Sequence, residues 1–177
     1  KPWHRLLILT AVGGAGLGGV WWARHPRPLP PGDVADRLAR FSEPVERRLQ
    51  PAFRHAGIPY PPSRLVLAGF KAERQLELYA AGPEGPLRLI KRYPIRAASG
   101  RSGPKLREGD RQGPEGVYGL KFLNPNSRFH LSMKVSYPNA FDREQAAREG
   151  RTGLGGDIMI HGKAASIGCL AMGDRAA

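Results

Sequence analysis

Cys169 is the chain's single cysteine, and it follows a glycine in the run Asp157-Ile-Met-Ile-His-Gly-Lys-Ala-Ala-Ser-Ile-Gly-Cys-Leu-Ala-Met-Gly-Asp174. A thiol so placed could act as a nucleophile, given a base within hydrogen-bond reach and donors for the oxyanion that develops on an attacked carbonyl. His161, eight positions earlier, is the nearest candidate base. Alternation over residues 157–161 predicts a short strand with Ile158 and Ile160 on one face and Met159 and His161 on the other. Gly162 lets the chain turn, and the small residues Ala164, Ala165 and Ser166 lead back to Gly168 and Cys169. Backbone N–H groups around Gly168 and Cys169 are candidates for an oxyanion hole. If Leu170 opens a helix, its N-terminal dipole favours the thiolate as well.

The same residues admit a plainer reading, since a lone cysteine is often a small buried hydrophobe and a strand-end histidine a structural one. Zinc is disfavoured because one cysteine with scattered histidines lacks paired-ligand spacing. Asp157 is a tempting third member of a triad, but four residues of strand span about 13 Å, too far for it to reach His161. A backbone carbonyl, that of Gly162, is the better candidate to orient the imidazole.

The arrangement His161-Gly162 followed by Ser166-Ile167-Gly168-Cys169 resembles the signature of the L,D-transpeptidase catalytic (YkuD) domain, and its short separation resembles the YafK-like branch. Gly69-Phe70-Lys71-Ala72-Glu73-Arg74, Leu76-Glu77-Leu78-Tyr79 and Gly113-Pro114-Glu115-Gly116-Val117-Tyr118 agree with that branch. So do Phe129-His130-Leu131-Ser132 and Ser136-Tyr137-Pro138-Asn139. The likeness runs from about Leu38 to the last residue. It implies a mainly β domain, a β-sandwich or barrel with minor helices, in which Cys169 attacks a peptide carbonyl of peptidoglycan to form a thioester and His161 is the base. The loop residues Gly162, Ser166 and Gly168 surround the pair. No metal or organic cofactor is implied. An amine acceptor gives cross-linking or protein attachment, whereas water gives an amidase or peptidase; a catalytically inactive wall-binding protein is the rival reading. Many family members carry Ser-His-Gly-Cys followed by an arginine, where this chain has Ile167 and Ala171. The group that holds a substrate carboxylate is therefore not identified. Family domains also continue beyond the nucleophile through a further helix and strand, so the eight residues after Cys169 point to a truncated C-terminus.

The elements that must position the pair follow from the rest of the chain. Its 177 residues hold one domain with a real core plus an appendage, and 23 glycines with 17 prolines suit a β-rich fold. The net charge of +13 favours an anionic surrounding. No nucleic-acid motif or interleaving of aromatic with basic residues is present, so a membrane surface or cell wall is expected rather than nucleic acid. Leu6 to Trp22 is uncharged and largely apolar, at the short edge of what spans a bilayer. Residues 1–24 read as a secretory signal peptide or an uncleaved anchor, and the lack of a clear cleavage site, with Trp21-Trp22 at one end, favours the signal anchor or transmembrane helix. The catalytic domain would then lie outside, on the periplasmic face of the inner membrane.

Residues 25–62 combine a proline-rich spacer with an amphipathic helix capped by Asp33, whose stripe is Val34, Leu38, Phe41, Val45, Leu49 and Phe53 and which Pro44 should kink or divide. The catalytic domain, residues 63–177, opens with a meander of three strands near residues 65–67, 76–79 and 87–90. A glycine- and proline-rich loop over 97–116 and a hairpin of 117–123 with 128–133 follow. Residues 142–151 form a polar helix or loop that delivers the chain to the catalytic strand. In an exported setting the lone thiol is expected to be free and reactive near neutral pH.

Overall fold

A computed structural model describes residues 29–177, so the apolar stretch Leu6 to Trp22 and the anchor expected there lie outside the described residues. Among the described residues no helix is long and apolar enough to cross a membrane. The architecture is mainly β with two helices. Helix α1, Val34–Ala56, starts in a capping box in which Asp33 accepts from the Asp36 N–H and Asp36 from the Asp33 N–H, and ends at Gly57 in the left-handed region. It runs unbroken through Pro44 and Pro51 and is not divided at Pro44 as expected. Each proline removes a single backbone donor, and the turns on either side keep theirs. The C-terminal half is also held by packing: Phe53 is buried with Leu78, Ala80 and Ile90, with Leu49, Ala52 and Ala56 against them. The N-terminal half of the stripe packs less than its periodicity suggests. Leu38 is 59% exposed, and with Val34, Phe41 and Val45 it faces an apolar groove of about 730 Å³ whose other wall carries Leu123, Met133 and Ile160.

Strands β1 (Arg64–Phe70), β2 (Gln75–Ala81) and β3 (Arg88–Pro94) form the expected antiparallel meander. A second sheet holds β4 (Leu120–Asn124), β5 (Ser132–Val135), β6 (Met159–His161) and β7 (Leu170–Ala171) in that order. Helix α2, Ala140–Arg148, fills the link from β5 to β6 and is capped by Asn139 and Asp142. Leu76 and Ile95 meet Ile160 and Met172 in one buried cluster, with Met133, Val135 and Leu170 packed on it. The two sheets therefore share a core, and the first face of the second sheet is spent on it. The pleat sends Ser132, Lys134, Met159 and His161 to the opposite face.

Candidate active site

The strand that ends at His161 is shorter than its alternation suggests. It begins at Met159, because Asp157 sits at φ +54 after a glycine-rich approach and cannot extend the ladder. Ile158 and Ile160 are both buried, as is His161. Strand β7 runs parallel to β6, pairing Ile160 with Leu170 and His161 with Ala171. Leu170 thus continues as strand, and no helix dipole acts on the thiol. Parallel neighbours usually need a crossover of a dozen residues or more. Here the link is Gly162 to Cys169, and it is closed by specific bonds. Ser166 Oγ donates to the Cys169 carbonyl at 2.6 Å, the Lys163 N–H to Asp174 Oδ1 at 2.7 Å, and the Gly173 N–H to the Lys163 carbonyl at 2.9 Å.

Because both strands are so short, the start of β7 pairs one residue before the end of β6, and Cys169, just ahead of β7, is two residues from His161 along the sheet. Strand spacings then put the Cα atoms of His161 and Cys169 about 8 Å apart on the diagonal. The imidazole is fixed: its Nδ1 lies 2.6 Å from the Gly162 carbonyl. A carbonyl can only accept, so Nδ1 carries the hydrogen and Nε2 keeps the lone pair a base requires. The Phe129 ring lies against the imidazole at 4.6 Å between centroids. Gly162 is required by close approach, since a Cβ there would lie 2.6 Å from the Phe129 carbonyl and 2.7 Å from Asp174 Oδ1.

The Cys169 sulfur is half-buried and free of any disulfide. It accepts from the Met159 N–H at 3.4 Å and faces the Asp157 carbonyl at 3.6 Å; His161 is not among its hydrogen-bond partners. Burial pushes the thiol up from its ordinary range. The Met159 N–H opposes that, the Asp157 charge adds to it and the Lys105 ammonium opposes it. Burial thus favours the protonated thiol at rest. Asp157 does not partner the imidazole; its carboxylate pairs with Lys134.

Gly168, at φ +92, lies under the long loop: a Cβ there would meet the Gln112 carbonyl at 3.1 Å. Its N–H donates to Ser99 Oγ at 2.6 Å, so that donor is engaged at rest, and Ser99 in turn donates to the Arg111 carbonyl at 2.8 Å. The loop itself is built rather than loose. Lys71 Nζ donates to the carbonyls of Gly103 and Gly113 and to Glu115. Lys105 Nζ reaches Asp110 at 2.9 Å, and Asp110 also accepts from the Leu106, Arg107 and Gln112 N–H groups. Ser99, Lys71 and Lys134 are contributors that sequence reasoning did not assign. Lys71 lay inside a recognisable motif without a stated role, while neither Ser99 nor Lys134 carries a local pattern that singles it out. Among the described residues no group of histidine, cysteine and carboxylate side chains could hold a metal.

No family model matches the chain. Two curated proteins named "Putative L,D-transpeptidase YafK", from Escherichia coli strain K12 and Escherichia coli O157:H7, are each 42% identical to it over 105 residues, covering 58% of this chain and 40% of theirs. The chain thus spans well under two thirds of the length of the curated relatives it matches. A solved structure titled "Structure of Bdellovibrio bacteriovorus Bd1075" aligns with a TM-score of 0.46 at 26% identity, covering 67% of this chain and 43% of that one. Over those 105 residues the chain is similar to YafK-like L,D-transpeptidases.

Proposed function

We propose that this domain transfers the acyl group of a peptidoglycan peptide through a thioester on Cys169. The observation that carries the reading is the oriented imidazole: Nδ1 is held by the Gly162 carbonyl while Nε2 remains a base, at the end of the strand whose first residue, Met159, donates its N–H to the thiol. His161 takes the S–H proton as sulfur attacks the scissile carbonyl, so that the S–C bond forms and the neutral thiol never has to ionise unaided. The same imidazole then gives its proton to the departing amine as the C–N bond breaks. An incoming amine, or water, next releases the acyl group and regenerates the thiol. Closure of substrate over the diagonal gap brings base and thiol within reach, because catalytic hydrogen bonds tighten in the complex.

An excess of basic residues suits a polyanionic wall, and we place the domain in the cell envelope, exported and held to the membrane by residues 1–24. Purified wall digested before and after treatment, with products resolved by mass, tests the chemistry and identifies the acceptor. Cys169→Ala is expected to abolish every change in the muropeptide profile. His161→Gln should leave a folded protein with acylation reduced about a hundred- to ten-thousand-fold, the usual cost of losing a general base. A changed profile from the cysteine variant would rule out the thioester.

A further inference from the structure

The register of the second sheet sets out a row of side chains that leads to the thiol. Phe122 pairs with Lys134, Lys134 with Met159, and Met159 lies beside Cys169, one step before the Ile160–Leu170 pair. Directly paired residues share a face, so the row runs across the sheet face opposite the core. From the thiol's strand to that of Lys134 is two strand spacings, about 10 Å, or some three residues of extended peptide. Lys134 Nζ lies 5.8 Å from the centre of the Phe122 ring, and its side chain is 20% exposed. The cation is thus laid along apolar surface with its head available.

Its partner is of a different kind. The Asp157 side chain is 84% exposed, and an ion pair with one member in water is weakly held. The ammonium has three donors, and a second carboxylate can take the place of Asp157 without stranding either charge. Asp157 also presents its main-chain carbonyl to the Cys169 sulfur, so the internal anion marks a spot adjoining the nucleophile. Ala171, in the next row beside His161, offers no charge.

We propose that Lys134 receives a carboxylate of the acyl-donor peptide, displacing Asp157, and so selects donors that carry a free acid within about 10 Å of the scissile carbonyl. The assignment rests on the acyl-transfer reading and names the group that anchors its substrate.

The test uses two synthetic peptidoglycan peptides, identical except that a side chain within about 10 Å of the scissile carbonyl carries a free carboxylate in one and a carboxamide in the other. The readout is the ratio of kcat/KM for acid over amide on each enzyme, from which any misfolded fraction cancels. Wild type should favour the acid by about 10- to 100-fold, the usual value of a hydrogen bond to a charged group. Lys134→Met should bring the ratio close to one through KM, and Lys134→Arg should keep most of it. Asp157→Asn, which removes the internal competitor, should lower KM for the acid peptide only where Lys134 is present. A wild-type ratio near one, or an undiminished ratio in Lys134→Met, overturns the assignment. If neither peptide is turned over, acyl transfer itself is refuted; the ratio of dissociation constants for the same two peptides, on wild type and Lys134→Met, then decides whether Lys134 binds the carboxylate.

Discussion

The ammonium of Lys71 lies 3.0 Å from the carbonyl oxygen of Gly113, joining the turn between β1 and β2 to the loop that rests on Gly168. Glu115 completes the tie by accepting from Lys71 and from the Gly103 N–H. Since Ser99 in this loop holds the Gly168 N–H, displacement of the loop reaches the residue before Cys169. Lys71→Met should therefore lower turnover about 10- to 100-fold, the scale of a misplacement near 1 Å. Its effect on stability should stay near 1 kcal/mol or below, because the ion pair is partly exposed. Steady-state kinetics with urea unfolding of the same variant separate the two; a loss of activity that merely tracks unfolding would refute the positioning role.

Gly162 supplies both the carbonyl that orients His161 and the close approach to Phe129 and Asp174. A methyl group there would have to push backbone aside, and overpacking of this sort costs about 1–3 kcal/mol. Gly162→Ala should lower the unfolding midpoint and also rotate the imidazole's anchor, so turnover falls further than the folded fraction does. Comparison with His161→Gln checks the account, because the double variant should be scarcely less active than the histidine variant alone.

Some of this was legible in the sequence, and physical range explains which parts. The stretch from Ile158 to Cys169 announces itself through alternation, glycine and a lone thiol, all of which are local. The Gly162 carbonyl could be expected beside His161 because strand geometry removes Asp157 from contention. Lys134 could not be assigned, since its place next to the site depends on the register of β5 with β6 across 23 residues between Lys134 and Asp157. Ser99 meets Gly168 across 69 residues through a single hydrogen bond, which no periodicity encodes. The stripe on α1 predicts an apolar face but not what covers it, so Leu38 and Phe53 look alike in sequence while one is exposed and the other buried. Asp157 ends the strand early by adopting a positive φ, which the alternation of its neighbours does not reveal.

Acid should loosen the loop before it unfolds the sheets. Burial alone would raise the Asp110 carboxyl, but the Lys105 ammonium and three backbone N–H groups outweigh it and hold the group well below the usual carboxylate range. A carboxyl depressed in the folded state contributes stability that is complete above its unfolded value, near 4, and is lost as pH falls through the folded one. Urea midpoints should therefore decline below about pH 4, and Asp110→Asn should flatten that decline. At pH 7 the same variant leaves Lys105, 5% exposed, without its counter-charge, a loss of about 3–5 kcal/mol for breaking a buried pair. An unchanged acid slope in Asp110→Asn would show that other carboxylates dominate.

The state of the sulfur decides how much work falls to His161. Burial raises the thiol and the charge of Asp157 adds to the rise, with only partial opposition from the Met159 N–H and Lys105. Burial penalises the thiolate and so favours the protonated sulfur. Iodoacetamide consumes only preformed thiolate, so its rate should climb with an inflection above about 8.5, the ordinary thiol value. Peptide turnover need not follow that curve, because in the proposed mechanism the imidazole removes the proton in the transition state. The two measurements should therefore part company in His161→Gln: turnover falls about a hundred- to ten-thousand-fold while the alkylation inflection stays above 8.5. An inflection below 7 in the wild type would mean that a thiolate exists at rest, and the general-base account would have to give way to an ion pair. If the inflection stays high and turnover is indifferent to His161, the proton leaves by another route, and the imidazole held by Gly162 is structural.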